Sequence, residues 1–147
     1  MKATNEMHLH FPSVSANEGF ARAAVAAFAV QLDPTLDELC DLKTAVSEAV
    51  TNAIVHGYKD AIGTVYIDCR LLPENKIQVR VRDRGCGIAD IAQAMEPLYT
   101  TAGEERAGLG FAVMKSFTDK LRVQSKPGGG TTVTMEKTFS PRVRQNG

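Results

Sequence analysis

This chain has no surplus of charge, no long apolar run, no paired cysteines and no internal repeats, and each absence removes a class of protein. Seventeen Lys and Arg residues cancel seventeen Asp and Glu residues. Nothing therefore marks a polyanion binder, and no direct contact with nucleic acid is expected. No stretch approaches the ~18 consecutive apolar residues of a membrane-spanning helix. The first eight residues also lack the apolar centre of a secretory signal. No membrane partner is expected, and the expected compartment is the cytoplasm. The three cysteines, Cys40, Cys69 and Cys86, are an odd number with no CxxC spacing, which argues against a disulfide framework and against a zinc site. A GxxxxGK run followed by Ser or Thr is missing too, so the chain carries no P-loop. What remains is 147 residues with 44% hydrophobic and 23% charged composition. That is the profile of a globular domain large enough for its own core. One domain is expected over residues 1–140, with the polar, basic tail 141–147 frayed.

Period and punctuation outline the elements. Met7–Phe11 alternates apolar and polar, as a strand does. Asn17 reads as the N-cap of a helix whose apolar positions, Phe20, Ala23, Ala24, Ala27, Phe28 and Val30, run to Leu32. Asp33-Pro34 stops it. Thr35 and Glu38 form a capping-box pattern for a second helix from Leu36 to His56, closed by Gly57. Its apolar seam is Leu42, Ala45, Val46, Ala49, Val50, Ala53 and Ile54. Thr64–Leu72 and Lys76–Arg82 alternate as strands joined by a Pro73-Glu-Asn75 hairpin turn. A short helix is expected over 88–95 and a mobile lid over 97–107. A helix over Leu109–Phe117 is expected to start at the pair Gly108 and Gly110. Two last strands, 120–125 and 131–137, complete an α/β two-layer sandwich. Its mixed, mostly antiparallel sheet would be covered on one face by helices.

Four short motifs carry candidate chemistry. Glu48, Asn52 and His56 recur every four residues, one polar stripe along the edge of the apolar seam. An amide oxygen suits magnesium, and a carboxylate one turn away can take a proton from an attacking hydroxyl. The plain alternative is a solvated pair on an amphipathic helix. Asp83 ends a strand and precedes Arg-Gly85-Cys-Gly87. A carboxylate there can read the exocyclic amine of adenine, and the glycines let backbone approach a ring. An ordinary turn explains the same residues. Gly108 and Gly110 suit phosphate at a helix start, with Arg106 placed to reach a terminal phosphate, or they form a simple loop beside a solvated charge. Gly128-Gly-Gly-Thr131-Thr132 is a hairpin turn whose threonines can add a hydroxyl near the base. His8 and His10 read as solvent-facing strand residues.

In this order the motifs resemble the ATP-binding domain of the histidine-kinase, gyrase, heat-shock-90 and MutL superfamily over about residues 36–137, the Bergerat-type fold. A closer resemblance spans almost the whole chain. Asn5-Glu-Met-His-Leu, Asn17-Glu-Gly-Phe-Ala-Arg22, Gln31-Leu-Asp-Pro-Thr35 and Ser47–Tyr58 are similar to the anti-sigma F factor family of spore-forming bacteria. That resemblance implies a serine kinase that binds and inhibits sigma factor F, phosphorylates an anti-anti-sigma protein with magnesium and ATP, and forms a homodimer. It implies Glu48 as general base and Asn52 as magnesium ligand. It implies His56, Asp83, Gly85, Gly87, Thr100, Thr101, Arg106, Gly108, Gly110, Thr131 and Thr132 around ATP or ADP. It implies Glu18 and Arg22 as partner contacts. The chain departs from the family at Thr100-Thr101-Ala102-Gly103, where Thr-Thr-Lys-Pro is usual, and its lid is one residue shorter. A stress-response anti-sigma kinase and a histidine-kinase catalytic domain are the alternatives.

Overall fold

The computed structural model describes residues 2–59, 61–88 and 104–141, the stretch 104–109 as backbone alone. The expected lid segment 97–103, with Thr100 and Thr101, lies outside the described residues, as do residues 89–95 of the expected short helix and the tail beyond Pro141.

Five strands form one sheet: β1 (Asn5–Pro12), β2 (Thr64–Leu72), β3 (Lys76–Asp83), β4 (Lys120–Ser125) and β5 (Thr131–Thr138). Their order is β1-β2-β3-β5-β4, and every neighbouring pair is antiparallel. The sheet expected as mixed is therefore antiparallel throughout the described residues. In β2 and β3 burial alternates residue by residue, as a sheet with one packed and one open face requires. Val65, Ile67, Cys69, Ile77, Val79, Val81, Val133 and Met135 form the packed face. Burial pushes the Cys69 thiol up to about 12, so this cysteine is an inert core residue.

Three helices, α1 (Ala16–Ala29), α2 (Leu36–Asn52) and α3 (Glu104–Phe117), cover that face. The capping box at α2 forms as the residue types demand. Thr35 N–H donates to Glu38 Oε1 at 2.9 Å, and Glu38 N–H donates to Thr35 Oγ1 at 3.1 Å. The expected seam of α2 is buried from Leu42 to Ala53, with Ile54 partly buried.

The reading of α1 needs two corrections. Its N-cap is Ser15, and the Asn17 side chain instead reaches back to the Pro12 carbonyl at 3.0 Å. Its packed face is Ala21, Val25, Ala26 and Ala29, while Phe20 is 59% exposed and Ala23 and Ala27 face solvent. The small residues let α1 come close to α2, and the bulky Phe20 is turned outward. Asp33 then adopts a left-handed conformation after the 3₁₀ turn Val30–Leu32. Among the described residues no helix is long and apolar enough to cross a membrane.

Candidate functional site

The end of α2 sets the geometry. After Asn52 the helix loosens into a π-turn over Ala53–Gly57, closed by Tyr58 N–H bonding to the Ala53 carbonyl at 3.2 Å. Turns of this kind are frequent at functional sites. Here the turn delivers Gly57 to the end of β3. A Cβ on Gly57 would stand 2.8 Å from the Asp83 carboxyl carbon. A Cβ on Gly85 would stand 1.9 Å from the Gly57 carbonyl oxygen. Only glycine fits at either place. Cys86 N–H donates to the Gly57 carbonyl at 2.9 Å, and Gly128 N–H donates to the Cys86 carbonyl at 2.7 Å. Gly87 has φ 74°, a conformation glycine adopts without strain. The segments at 57, 85–87 and 128–130 thus interlock backbone to backbone. This is a role for Gly85 and Gly87 that sequence reasoning had given to ligand approach.

Asp83 lies at the centre of that interlock, buried at 6% exposure. Its Oδ1 accepts the Gly85 N–H at 2.9 Å. Burial pushes its carboxyl above the usual carboxylate range, and the Gly85 and Thr131 backbone N–H groups pull against that rise. A desolvated carboxylate kept at the end of a strand is a costly feature unless it has something to recognise. Tyr58, which sequence reasoning missed, braces this corner. Its hydroxyl donates to the Thr64 carbonyl at 2.8 Å and accepts the Arg84 N–H at 2.7 Å. Its place directly after His56-Gly57 is the only sequence signal for that role.

The catalytic candidates meet α3. A Cβ on Gly110 would stand 3.1 Å from Glu48 Oε2 and 3.1 Å from Asn52 Nδ2. One helix therefore presents its carboxylate and amide, and another presents a bare backbone against them. Asn52 Nδ2 is buried with no hydrogen-bond partner among the described residues, although buried polar groups are almost always paired. A donor in that position is suited to a ligand oxygen, and turning the amide plane offers its oxygen to a cation instead. His56 is half-buried in the π-turn, and its carbonyl accepts the Cys86 thiol at 3.1 Å.

Other expected residues are placed differently. Gly108 and Gly110 lie inside α3 (Glu104–Phe117), not at its start. Arg106 precedes them in α3 by backbone position, and its side chain is outside the described residues. Thr131 is buried, pairs with Asp83 across the β3–β5 ladder, and exchanges a hydrogen bond with Ser125 at 2.8 Å. Thr132 pairs with Arg82 and faces the open side of the sheet, away from Asp83. It is not brought to the site, because successive strand residues point to opposite faces.

Arg22 lies on the side of α1 next to α2, outside the helix's buried residues, with 43% of its side chain exposed and Glu18 Oε1 at 3.8 Å. Ser47 Oγ, next to the catalytic candidate Glu48, donates to the same Glu18 oxygen. The expected partner contacts are thereby joined to α2 through a serine that sequence reasoning did not single out.

Residues 11–137 match the histidine kinase-like ATPase domain. The chain is 57% identical to the anti-sigma F factor of Thermoanaerobacter sp. (strain X514), over 93% of this chain and 96% of that protein. It is 50% identical to the anti-sigma F factor of Bacillus velezensis, over 92% of this chain and 94% of that protein. In fold it is similar to the RsbU and RsbW domains of a Mycobacterium tuberculosis protein, with TM-score 0.71 and 21% identity, covering 96% of this chain and 34% of that one. It is also similar to a blue-light activated histidine kinase of Erythrobacter litoralis, with TM-score 0.60 and 21% identity, covering 80% of this chain and 40% of that one. A nucleotide-binding architecture, a match across most of the chain and relatives at 50–57% identity over nearly full length place this chain in the histidine kinase-like ATPase family and, within it, in the anti-sigma F factor family.

Proposed function

We propose that the chain binds and inhibits sigma factor F and, using magnesium and ATP, phosphorylates a serine of an anti-anti-sigma protein. The observation that carries this reading is the meeting of Glu48 and Asn52 with the bare backbone of Gly110. A carboxylate and a buried amide whose Nδ2 has no partner among the described residues face a place where even a methyl group would be tight. That donor set suits magnesium, which takes hard oxygen ligands and leaves most positions to phosphate and water. Magnesium, held through Asn52, would neutralise charge on the phosphates. Asp83 would accept the adenine amine, with Gly57, Gly85 and Thr131 as the walls around it. Gly108 and Gly110 would lie against the phosphates, and Arg106, His56, Thr100 and Thr101 would complete the nucleotide contacts.

Glu48 would act as general base. The acceptor serine oxygen forms a bond to the γ-phosphorus as the bridging oxygen–phosphorus bond to ADP breaks, and the serine proton passes to Glu48. Positioning and charge stabilisation supply most of the catalysis in such transfers. Glu18 and Arg22 would touch the protein partners. A homodimer working in the cytoplasm is part of the proposal. The outward Phe20 of α1 and Val30 of the 3₁₀ turn after it, 59% and 55% exposed, offer apolar surface for a contact between copies.

The test is incubation with labelled ATP, sigma factor F and the anti-anti-sigma protein. An acid-stable phosphoserine on the anti-anti-sigma protein is expected. The Glu48→Gln variant should bind ATP nearly as wild type and transfer about 10²–10⁴ times more slowly. An acid-labile mark on the chain itself, or no transfer from the wild type, would refute the kinase reading. Near-normal transfer by Glu48→Gln would remove Glu48 as the base.

A further inference from the structure

An open groove of about 500 Å³ lies along α2, lined by Cys40, Lys43, Thr44, Ser47 and Glu48 and bordered by Arg22 of α1. Its size falls in the range of sites that hold a ligand or a short peptide segment. The α2 residues recur at helical spacing and share one face, so the groove runs along that face and ends at Glu48. Its lining mixes polar groups with the apolar stems of its longer side chains, and two cations are set against one carboxylate. Arg22 is held by Glu18, which Ser47 anchors in turn. Lys43 is half-buried and takes part in no salt bridge among the described residues. A lysine that lines a groove and makes no ion pair among the described residues leaves one positive charge of the groove unmatched.

We propose that this groove seats the acceptor segment of the protein substrate, and that Lys43 reads a carboxylate close to the acceptor serine. The proposal rests on the kinase reading and adds to it a residue that selects the substrate. The spacing sets where the carboxylate belongs. From Lys43 to Glu48 the helix rises about 7.5 Å, at roughly 1.5 Å per residue. An extended peptide covers that distance in about two or three residues. With the serine hydroxyl at Glu48, an Asp or Glu about two or three residues along the chain meets the Lys43 ammonium. Arg22, already balanced by Glu18, borders the segment without needing a charge from it.

The experiment follows phosphotransfer from ATP to the anti-anti-sigma protein in Lys43→Ala, Lys43→Glu and Lys43→Arg variants. In Lys43→Glu the KM for the protein substrate should rise at least about tenfold, while kcat and ATP affinity change by less than roughly twofold. Lys43→Arg should largely restore KM. Replacing the substrate's acidic residue near the serine by Lys should rescue Lys43→Glu. Equal KM in wild type and Lys43→Glu overturns the proposal, and so does a loss of kcat and ATP affinity without a change in KM.

A second readout needs no transfer. Cys40 is an exposed, free thiol lining the groove. Its alkylation by N-ethylmaleimide, mapped by peptide mass, should slow when the anti-anti-sigma protein is added with ADP, and not with ADP alone. Undiminished labelling of Cys40 in the complex overturns the groove as the docking site. If the wild type transfers no phosphate, the kinase reading fails, and the labelling of Cys40 still decides the groove.

Discussion

Replacing Asp83 by Asn should weaken ATP binding while leaving the nucleotide-free protein no less stable. The carboxyl is 6% exposed and accepts the Gly85 N–H at 2.9 Å. Burial pushes its pKa up, against the Gly85 and Thr131 N–H groups. A carboxylate whose folded pKa lies above its unfolded value binds its proton more tightly in the folded state. Its ionised form therefore costs stability. That cost is absent below the unfolded pKa and complete above the folded one. Asn carries no charge at any pH and keeps a carbonyl oxygen for the Gly85 N–H. The ligand-free variant should melt at or above the wild-type temperature near neutral pH, and the difference should close as pH falls through the Asp83 titration.

Nucleotide binding should move the other way. Losing a charge-assisted acceptor costs about 1.5–3 kcal/mol, or roughly 10- to 150-fold in Kd. At an ATP concentration of about 100 times the wild-type Kd, the nucleotide stabilises wild type by about 2.7 kcal/mol. A variant about thirtyfold weaker gains only about 0.9 kcal/mol. Thermal melts with and without ATP, together with titration calorimetry, read both halves. Unchanged ATP affinity would remove Asp83 from the site. A ligand-free variant destabilised by more than about 1 kcal/mol would refute the account of a charge held against its desolvation cost.

Gly110→Ala should fold, because alanine suits a helix interior about 1 kcal/mol better than glycine. Its Cβ would nevertheless crowd Glu48 and Asn52 at 3.1–3.2 Å. Calorimetry should find weaker ATP binding with a melting temperature near wild type, and unchanged binding would mean that the two side chains move aside. Glu38→Ala should lower stability by about 1 kcal/mol at pH 7 by opening the capping box. Burial pushes the Glu38 carboxyl up, but the Thr35 and Ser140 N–H donors outweigh it and hold the pKa below the ordinary value. The Glu38 contribution is therefore present above the unfolded pKa and lost as pH falls through the folded one, so urea melts should converge in acid. His8, on the open face of the sheet, should titrate above 6.5, because it bonds Asp68 at 2.6 Å and Glu6 at 3.4 Å. In an NMR titration Asp68→Asn should lower that midpoint, and an unmoved midpoint would show that the pair does not form in solution.

Features that repeat within one element were legible in the sequence. The seam of α2, its capping box and the period-2 strands depend on neighbours a few residues apart, and residue type alone decides them. The order of the motifs was equally legible, and with it the family. The candidate site was legible as a set of residues but not as an arrangement. Alanines fill half of α1, so its hydrophobic pattern has no sharp phase. The face that packs was decided by how closely Ala21, Val25 and Ala29 approach α2, and this turned Phe20 outward. Gly108 and Gly110 read as a loop because glycine disfavours helices. Only the contact of Gly110 with Glu48 and Asn52 gives a reason for a glycine within a helix. Thr131 and Thr132 are neighbours in the chain, yet the ladder with β3 puts the first against Asp83 and the second on the opposite face. The groove of Lys43 and Cys40 has no sequence signal, since its walls come from two helices whose approach belongs to tertiary packing. Local periodicity is a property of the chain, whereas a space between elements exists only once they have packed.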